Sequence, residues 1–402
     1  MSMRYPGGVI SATPPTITPP VDGEGGTASG VWTLETQLQN ATSWPKPVLP
    51  RELYSWGLGN NGQLGLNDIV NRSSPVQVGA LTTWSRVEGG GNFGLAVKTD
   101  GTLWGWGSNS TGELGLGNTV VRSSPVQIGA LTTWYQIAAG TQFSLAIKTD
   151  GTMWSWGNGN FGRLGIGNNY SRSSPVQIGA LTTWYQIAGG AAFSLAIKTD
   201  GTMWSWGSNG TGQLGLNDTA NRSSPVQVGA LTTWYQIAAG DSHSIAVKTD
   251  GTMWSWGNGA YGRLGLNDVA NRSSPVQVGA LTTWSKVAAG NNFSLAIKTD
   301  GTMWSWGNNT AGRLGLNDVA NRSSPVQIGA LTTWAQVAAG TVHGLAIKTD
   351  GTLWSWGNGG SGRLGLNDIA NRSSPVQVGA LTNWIRLPTN RIESGASLAI
   401  KS

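Results

Sequence analysis

A tryptophan returns every 50 residues along this chain, at Trp56, Trp106, Trp156, Trp206, Trp256, Trp306 and Trp356, each in the same local setting. Around the third copy the setting is Thr149-Asp150-Gly151-Thr152-Met153-Trp154-Ser155-Trp156-Gly157, a tight turn feeding a short aromatic strand. A fixed period of about 20 to 50 residues marks repeat architectures whose units cannot bury their apolar faces alone.

One unit reads as four short strands. Ser124-Pro125-Val126-Gln127-Ile128 is edge-like, because proline is tolerated only where its missing N–H is not needed. After the turn Gly129 to Thr133 comes Trp134-Tyr135-Gln136-Ile137-Ala138-Ala139, with alternate residues pointing the same way, and then Phe143-Ser144-Leu145-Ala146-Ile147, an apolar run short enough for a strand buried on both faces. Asp150-Gly151 predicts a two-residue hairpin turn, and Thr152 to Trp156 the return strand. Such sheets must stack around an axis, each covering its neighbour. The expected fold is all-β, a seven-bladed propeller of four-stranded blades over residues 50–402, preceded by an extended arm, residues 1–49. Trp134, Trp154, Trp156, Leu131, Ile137 and Leu164 are the expected contacts between blades, since twenty of the 22 tryptophans fall on three repeat positions.

The ring should close through its ends. Lys-Thr-Asp-Gly-Thr occurs six times as a continuous hairpin, beginning at Lys98, Lys148, Lys198, Lys248, Lys298 and Lys348, against seven aromatic return strands. Ser397 to Lys401 ends without a turn and Arg51 to Trp56 starts without a partner, so the two are expected to pair and remove the open edge.

Composition sets the remaining bounds. With 11% charged residues, 61 glycines and 22 tryptophans, the chain reads as folded and rich in turns. It has no cysteine, which removes disulfides and thiolate metal sites. The net charge of +6 is spread round the repeats, so no nucleic-acid stripe is expected. No apolar run reaches bilayer length and Met1 to Pro6 lacks a secretory core, so neither membrane insertion nor signal-directed export is expected.

The arm carries Pro14-Pro15-Thr16-Ile17-Thr18-Pro19-Pro20 and Gly23-Glu24-Gly25-Gly26, a tether composition, followed by a small apolar cluster in which Trp32, Leu34 and Leu38 are candidate anchors. The cluster could pack on the propeller or dock on another protein. Its Gly30-Val31-Trp32-Thr33-Leu34 and Trp44-Pro45 resemble the N-termini of structural proteins of marine bacteriophages.

The run Leu-x-Ser-Trp-Gly-x-x-x-x-Gly-x-Leu-Gly, then Ser-Pro-Val-Gln, then Ala-Ala-Gly-x-x-(Phe or His)-Ser-Leu-Ala and Asp-Gly, as over Met203 to Gly251, is similar to the regulator of chromosome condensation repeat family across residues 50–402. That resemblance implies a seven-bladed propeller. It leaves function open, because members include a nucleotide-exchange factor for a small nuclear GTPase, a β-lactamase inhibitor and many interaction modules. The family's usual histidine stands only at His243 and His343, with Phe93, Phe143, Phe193 and Phe293 elsewhere, so the position packs and does no acid–base chemistry. The last unit departs at Leu387 to Glu393, where three added residues predict a bulge.

Catalytic and cofactor motifs are weighed and set aside. Gly57 to Gly62, Gly157 to Gly162, Gly257 to Gly262 and Gly357 to Gly362 match a dinucleotide fingerprint, but no helix follows to face a pyrophosphate. Asp241-Ser242-His243-Ser244 holds triad residue types on adjacent positions, which point to opposite faces. Asp68, Asp218, Asp268, Asp318 and Asp368 supply one carboxylate per loop, better suited to Asx turns than to calcium. Two histidines without cysteine make zinc implausible. No enzyme activity, cofactor or metal is expected.

Variation between near-copies concentrates in the loop after Trp-Gly. There Phe161, Arg163, Tyr261, Arg263, Arg313 and Arg363 are the candidate contact residues, since aromatics beside arginines anchor many interfaces; Phe161 and Tyr261 could instead cover their own blades. The leading expectation is a non-enzymatic virion component, anchored to virion proteins by its arm and touching a host-surface protein or glycan. The alternative is a cytoplasmic regulator of a soluble protein, similar to exchange factors or enzyme inhibitors.

Overall fold

The computed structural model describes residues 49–389 and 395–402. The expected anchors Trp32, Leu34 and Leu38 lie outside the described residues, as do positions 390–393 of the expected bulge. From Arg51 onward the chain forms one compact unit of seven four-stranded antiparallel sheets, the seven-bladed propeller expected from the repeat.

Blade 1 contains, from the axis outward, Trp84–Gly89, Phe93–Lys98, Leu103–Gly107 and Arg122–Gln127. Blades 2 to 6 repeat this at intervals of 50 residues. The second strand of each blade, FSLAIK in blade 2, is buried along almost its whole length because both its faces meet neighbouring blades. The outer strand RSSPVQ is only half-buried, which is where proline is accommodated.

Each apolar cluster straddles two blades. Phe93, Leu95, Val97, Leu103, Leu114 and Ile128 of blade 1 pack against Trp134, Ile137, Ala139, Ala146 and Trp156 of blade 2. The clusters recur around the ring. Trp134, Trp156, Ile137 and Leu164 therefore lie where the sequence placed them. Leu131 does not: it is 48% exposed, because the connection from one blade's outer strand to the next blade's inner strand runs over the surface. Trp154 is half-buried, edge-on to Trp134, with the Lys148 ammonium 3.8 Å from its ring centroid.

The hairpin turn differs from the two-residue expectation. Lys148 N–H donates to Thr152 O at 3.0 Å and Gly151 N–H to Lys148 O at 2.9 Å, leaving Thr149, Asp150 and Gly151 in the loop. Only Gly151 takes a positive φ, +76°. This is the three-residue form, a turn closed by one left-handed residue. The Asp150 carboxylate supports it by accepting the Thr152 N–H and hydroxyl at 2.9 and 2.7 Å.

Blade 7 is built from both ends, in the order Arg72–Gln77, Glu52–Gly57, Ala396–Lys401, Trp384–Arg386. Glu52 pairs with Lys401 and the register runs on to Gly57 with Ala396. An ion pair of 3.2 Å between Lys401 Nζ and Glu52 Oε2 lies beside the seam. The inner strand of this blade stops at Arg386, and Thr389 donates its N–H and hydroxyl to Glu88 of blade 1.

Candidate protein-contact face

All the varied loops after Trp-Gly rise from the same end of the ring, the end that also carries the turns between first and second strands. At the axis a cavity of about 450 Å³ is lined by Leu58, Asn92, Glu113, Gln142, Thr341 and Arg363, contributed by blades 7, 1, 2 and 6. Two of its lining residues, Glu113 and Arg363, stand at one repeat position, which reads Gln63, Glu113, Arg163, Gln213, Arg263, Arg313 and Arg363.

That residue decides the path of its own loop. Gln63 Oε1 accepts the Asn61 N–H at 2.7 Å, Glu113 Oε2 the Thr111 N–H at 2.8 Å, and Gln213 Oε1 the Thr211 N–H at 2.9 Å. Arginine has donors only. In the other four loops Nε donates instead to a carbonyl, that of Asn160, Ala260, Thr310 or Gly360, at 2.8 to 3.0 Å. The peptide group thus turns its N–H toward glutamine or glutamate and its C=O toward arginine. The residue that follows swings into the left-handed region, with φ +62° at Phe161, +63° at Tyr261, +64° at Ala311 and +63° at Ser361.

The six predicted contact residues form two layers, not one exposed patch. Phe161 and Tyr261 are 51% and 48% exposed, in blades 2 and 4 with the Thr211 loop between them. Arg163, Arg263 and Arg313 are buried at 6%, 4% and 7% exposure and Arg363 is half-buried. The guanidinium carbons of Arg163 and Arg263 lie 5.7 and 5.8 Å from the ring centroids of Phe161 and Tyr261. Desolvation pushes Arg163 down to about 10 and lowers Arg263, Arg313 and Arg363 from the ordinary value; Asp241 opposes the shift at Arg263. The layering escapes a reading by residue type, although the alternation of acceptor and donor at this position was a visible signal.

The motifs set aside on sequence have structural employment. His243 is buried, with Nε2 3.0 Å from Ser294 Oγ, which donates to Arg263 O at 2.8 Å. His343 pairs likewise with Ser397 at 2.9 Å. Asp68 accepts the Val70 N–H at 3.0 Å and ion-pairs with Arg72, so the loop carboxylates hold Asx turns and rim ion pairs. Among the described residues no helix is long and apolar enough to cross a membrane.

Fold and face together define a seven-bladed β-propeller with one asymmetric end. The chain belongs to the RCC1-like domain family, whose model matches residues 132–399; the regulator of chromosome condensation (RCC1) repeat model matches residues 52–97 and 100–147. Human WBSCR16 has a similar structure, with a TM-score of 0.79 at 21% identity over 88% of this chain and 99% of that one. Prp20p from Saccharomyces cerevisiae, described with its binding to Gsp1p and histones, has a TM-score of 0.77 at 22% identity over 88% and 92%. Yeast RCC1 (Prp20) in complex with Kap60 gives 0.78 at 21% identity over 88% and 89%. Among curated protein sequences there was no significant match.

Proposed function

We propose that this propeller is a non-enzymatic binding module that regulates a soluble protein, engaging it through the end that carries Phe161, Tyr261 and the arginine-lined mouth. The observation that carries the reading is the contrast between ends of near-identical blades. The hairpin Lys-Thr-Asp-Gly-Thr is the same in all six continuous copies, whereas the opposite loops differ in side chain and in backbone course. Selection for a fold alone requires no such asymmetry.

Family membership supports a binding role, and yeast Prp20 binds Gsp1p, histones and Kap60. The burial of His243 and His343 in packing positions supports a non-enzymatic reading. The virion reading rests on the arm alone, and the relatives named above come from human and yeast. Capture of proteins from a cell lysate on the immobilised chain tests the proposal. A retained partner should be lost when Phe161 and Tyr261 are both changed to serine, the residue at Ser361. Retention unaffected by that double change would contradict it.

A further inference from the structure

Blades 4, 5 and 6 are consecutive and all carry arginine at this repeat position, whereas its sole acid, Glu113 of blade 1, lines the cavity together with Arg363. The three side chains are held against their own loops. Each spends its Nε on a backbone carbonyl of its own loop, and Arg263 Nη1 reaches Asn291 O at 3.4 Å. Asn291 is the blade 5 counterpart of Gly91, which lines the axial cavity. Among the described residues, no ion pair includes Arg313 or Arg363. The rim arginines behave differently: Arg222, Arg272, Arg322 and Arg372 are each matched by an aspartate four residues earlier.

Buried cations without a paired carboxylate are costly unless an anion completes them. Guanidinium groups favour planar oxyanions, which they grip with two parallel N–H bonds. The same three loops expose Val269, Val319 and Ile369, at 63%, 66% and 69%, as the Gln63 loop exposes Ile69 at 65%, and a small free anion would find nothing to bind there. A polypeptide would cover them.

We infer that the arc of Arg263, Arg313 and Arg363 is the receiving site for an acidic protein segment, whose aspartate or glutamate carboxylates enter the channel mouth. This rests on the protein-binding reading above and names the chemistry of its partner. Arg313 and Arg363 are the principal contacts; Arg263 is partly satisfied by Asp241.

The repeat itself shows that the fold accommodates glutamine here, at Gln63 and Gln213 in blades 7 and 3. The test is titration of the full chain with a short oligoglutamate peptide, followed by tryptophan fluorescence or calorimetry, in wild type, R313Q/R363Q and R322Q. The expected result is saturable binding by wild type and by R322Q, weakened by at least about tenfold in R313Q/R363Q. No binding by wild type, equal binding by R313Q/R363Q, or equal loss in R322Q would overturn the site. Inorganic phosphate competing as well as the peptide would also overturn it, by reducing the mouth to a small-anion hole. Failure here with a partner still captured from lysate would sink this inference and leave the binding module standing.

Discussion

The indole N–H of Trp56 donates to the main-chain carbonyl of Arg363 at 2.9 Å, joining residues 307 positions apart. The same bond runs from Trp106 to Gln63, Trp156 to Glu113, Trp206 to Arg163, Trp256 to Gln213, Trp306 to Arg263 and Trp356 to Arg313, all at 2.9 Å. Each blade therefore fastens the loop that the preceding blade presents at the channel mouth. A residue that varies in side chain is thus held in backbone, so the tryptophans that build the core also set where the arginines stand.

Removing one such bond should be felt by the whole ring. Trp156→Phe keeps an aromatic between blades 1 and 2 but strips the donor from the buried Glu113 carbonyl, which costs on the order of 1–3 kcal/mol, with further loss from the smaller ring. Ser144 Oγ still reaches that carbonyl at 2.7 Å, which places the effect toward the lower end. Urea unfolding of wild type and variant measures it; an unchanged midpoint would contradict the expectation.

His343 gives stability a pH dependence with a defined sign. Burial and the neighbouring Arg363 push its folded value from 6.5 down to about 3. Below 6.5 the unfolded chain takes up a proton that the folded chain refuses, so stability falls as pH drops from 6.5 toward 3. Phenylalanine serves at the equivalent Phe143 and Phe193, so H343F should fold and lack this share of the fall. The unfolding free energy of wild type minus that of H343F should fall from neutral pH to about pH 4; a difference independent of pH would contradict the assignment.

Arg313→Gln should turn over a peptide bond. Glutamine brings an acceptor, so the Ala311 N–H should rotate toward it as the Thr211 N–H does toward Gln213. Ala311 should then leave φ +64° for negative values, relieving about 1 kcal/mol of left-handed strain. A crystal structure of the variant decides; retention of the positive φ would show that the loop, not the side chain, sets the geometry.

Gly151→Ala tests the hairpin. A Cβ there would stand 2.1 Å from the Thr182 carbonyl, in a residue at φ +76°. The change should destabilise by well over about 1 kcal/mol, read as a drop in thermal midpoint. Tolerance without a drop would mean the connection between blades can yield.

The fold was legible because 50-residue periodicity, strand-length apolar runs and the mismatch between six hairpins and seven return strands all constrain topology. Turn detail was less so. Asp-Gly is shared by two- and three-residue loops, and the choice is made by Thr152, whose N–H and hydroxyl engage Asp150. The site was legible only in part. Varied positions pointed to the right loops, but Arg163 and Phe161 look equally exposed in a linear reading. Burial belongs to the repeat position itself, since Gln63, Glu113 and Gln213 are as buried there as Arg163. Leu131 failed for a similar reason: hydrophobicity cannot tell a loop laid over the surface from one folded into the seam.

The account depends most on a ring latched where its ends meet, since the channel mouth exists only if blade 7 does. The chain has no cysteine, so a single engineered pair can report on this directly. Glu52 and Lys401 are opposite partners in the closing strands, and cross-strand partners lie within the Cα separation a disulfide accepts. Oxidation of the E52C/K401C variant should give an intramolecular disulfide in nearly all molecules and raise the thermal midpoint. Free thiols after oxidation, or cross-links only between molecules, would contradict the closed ring.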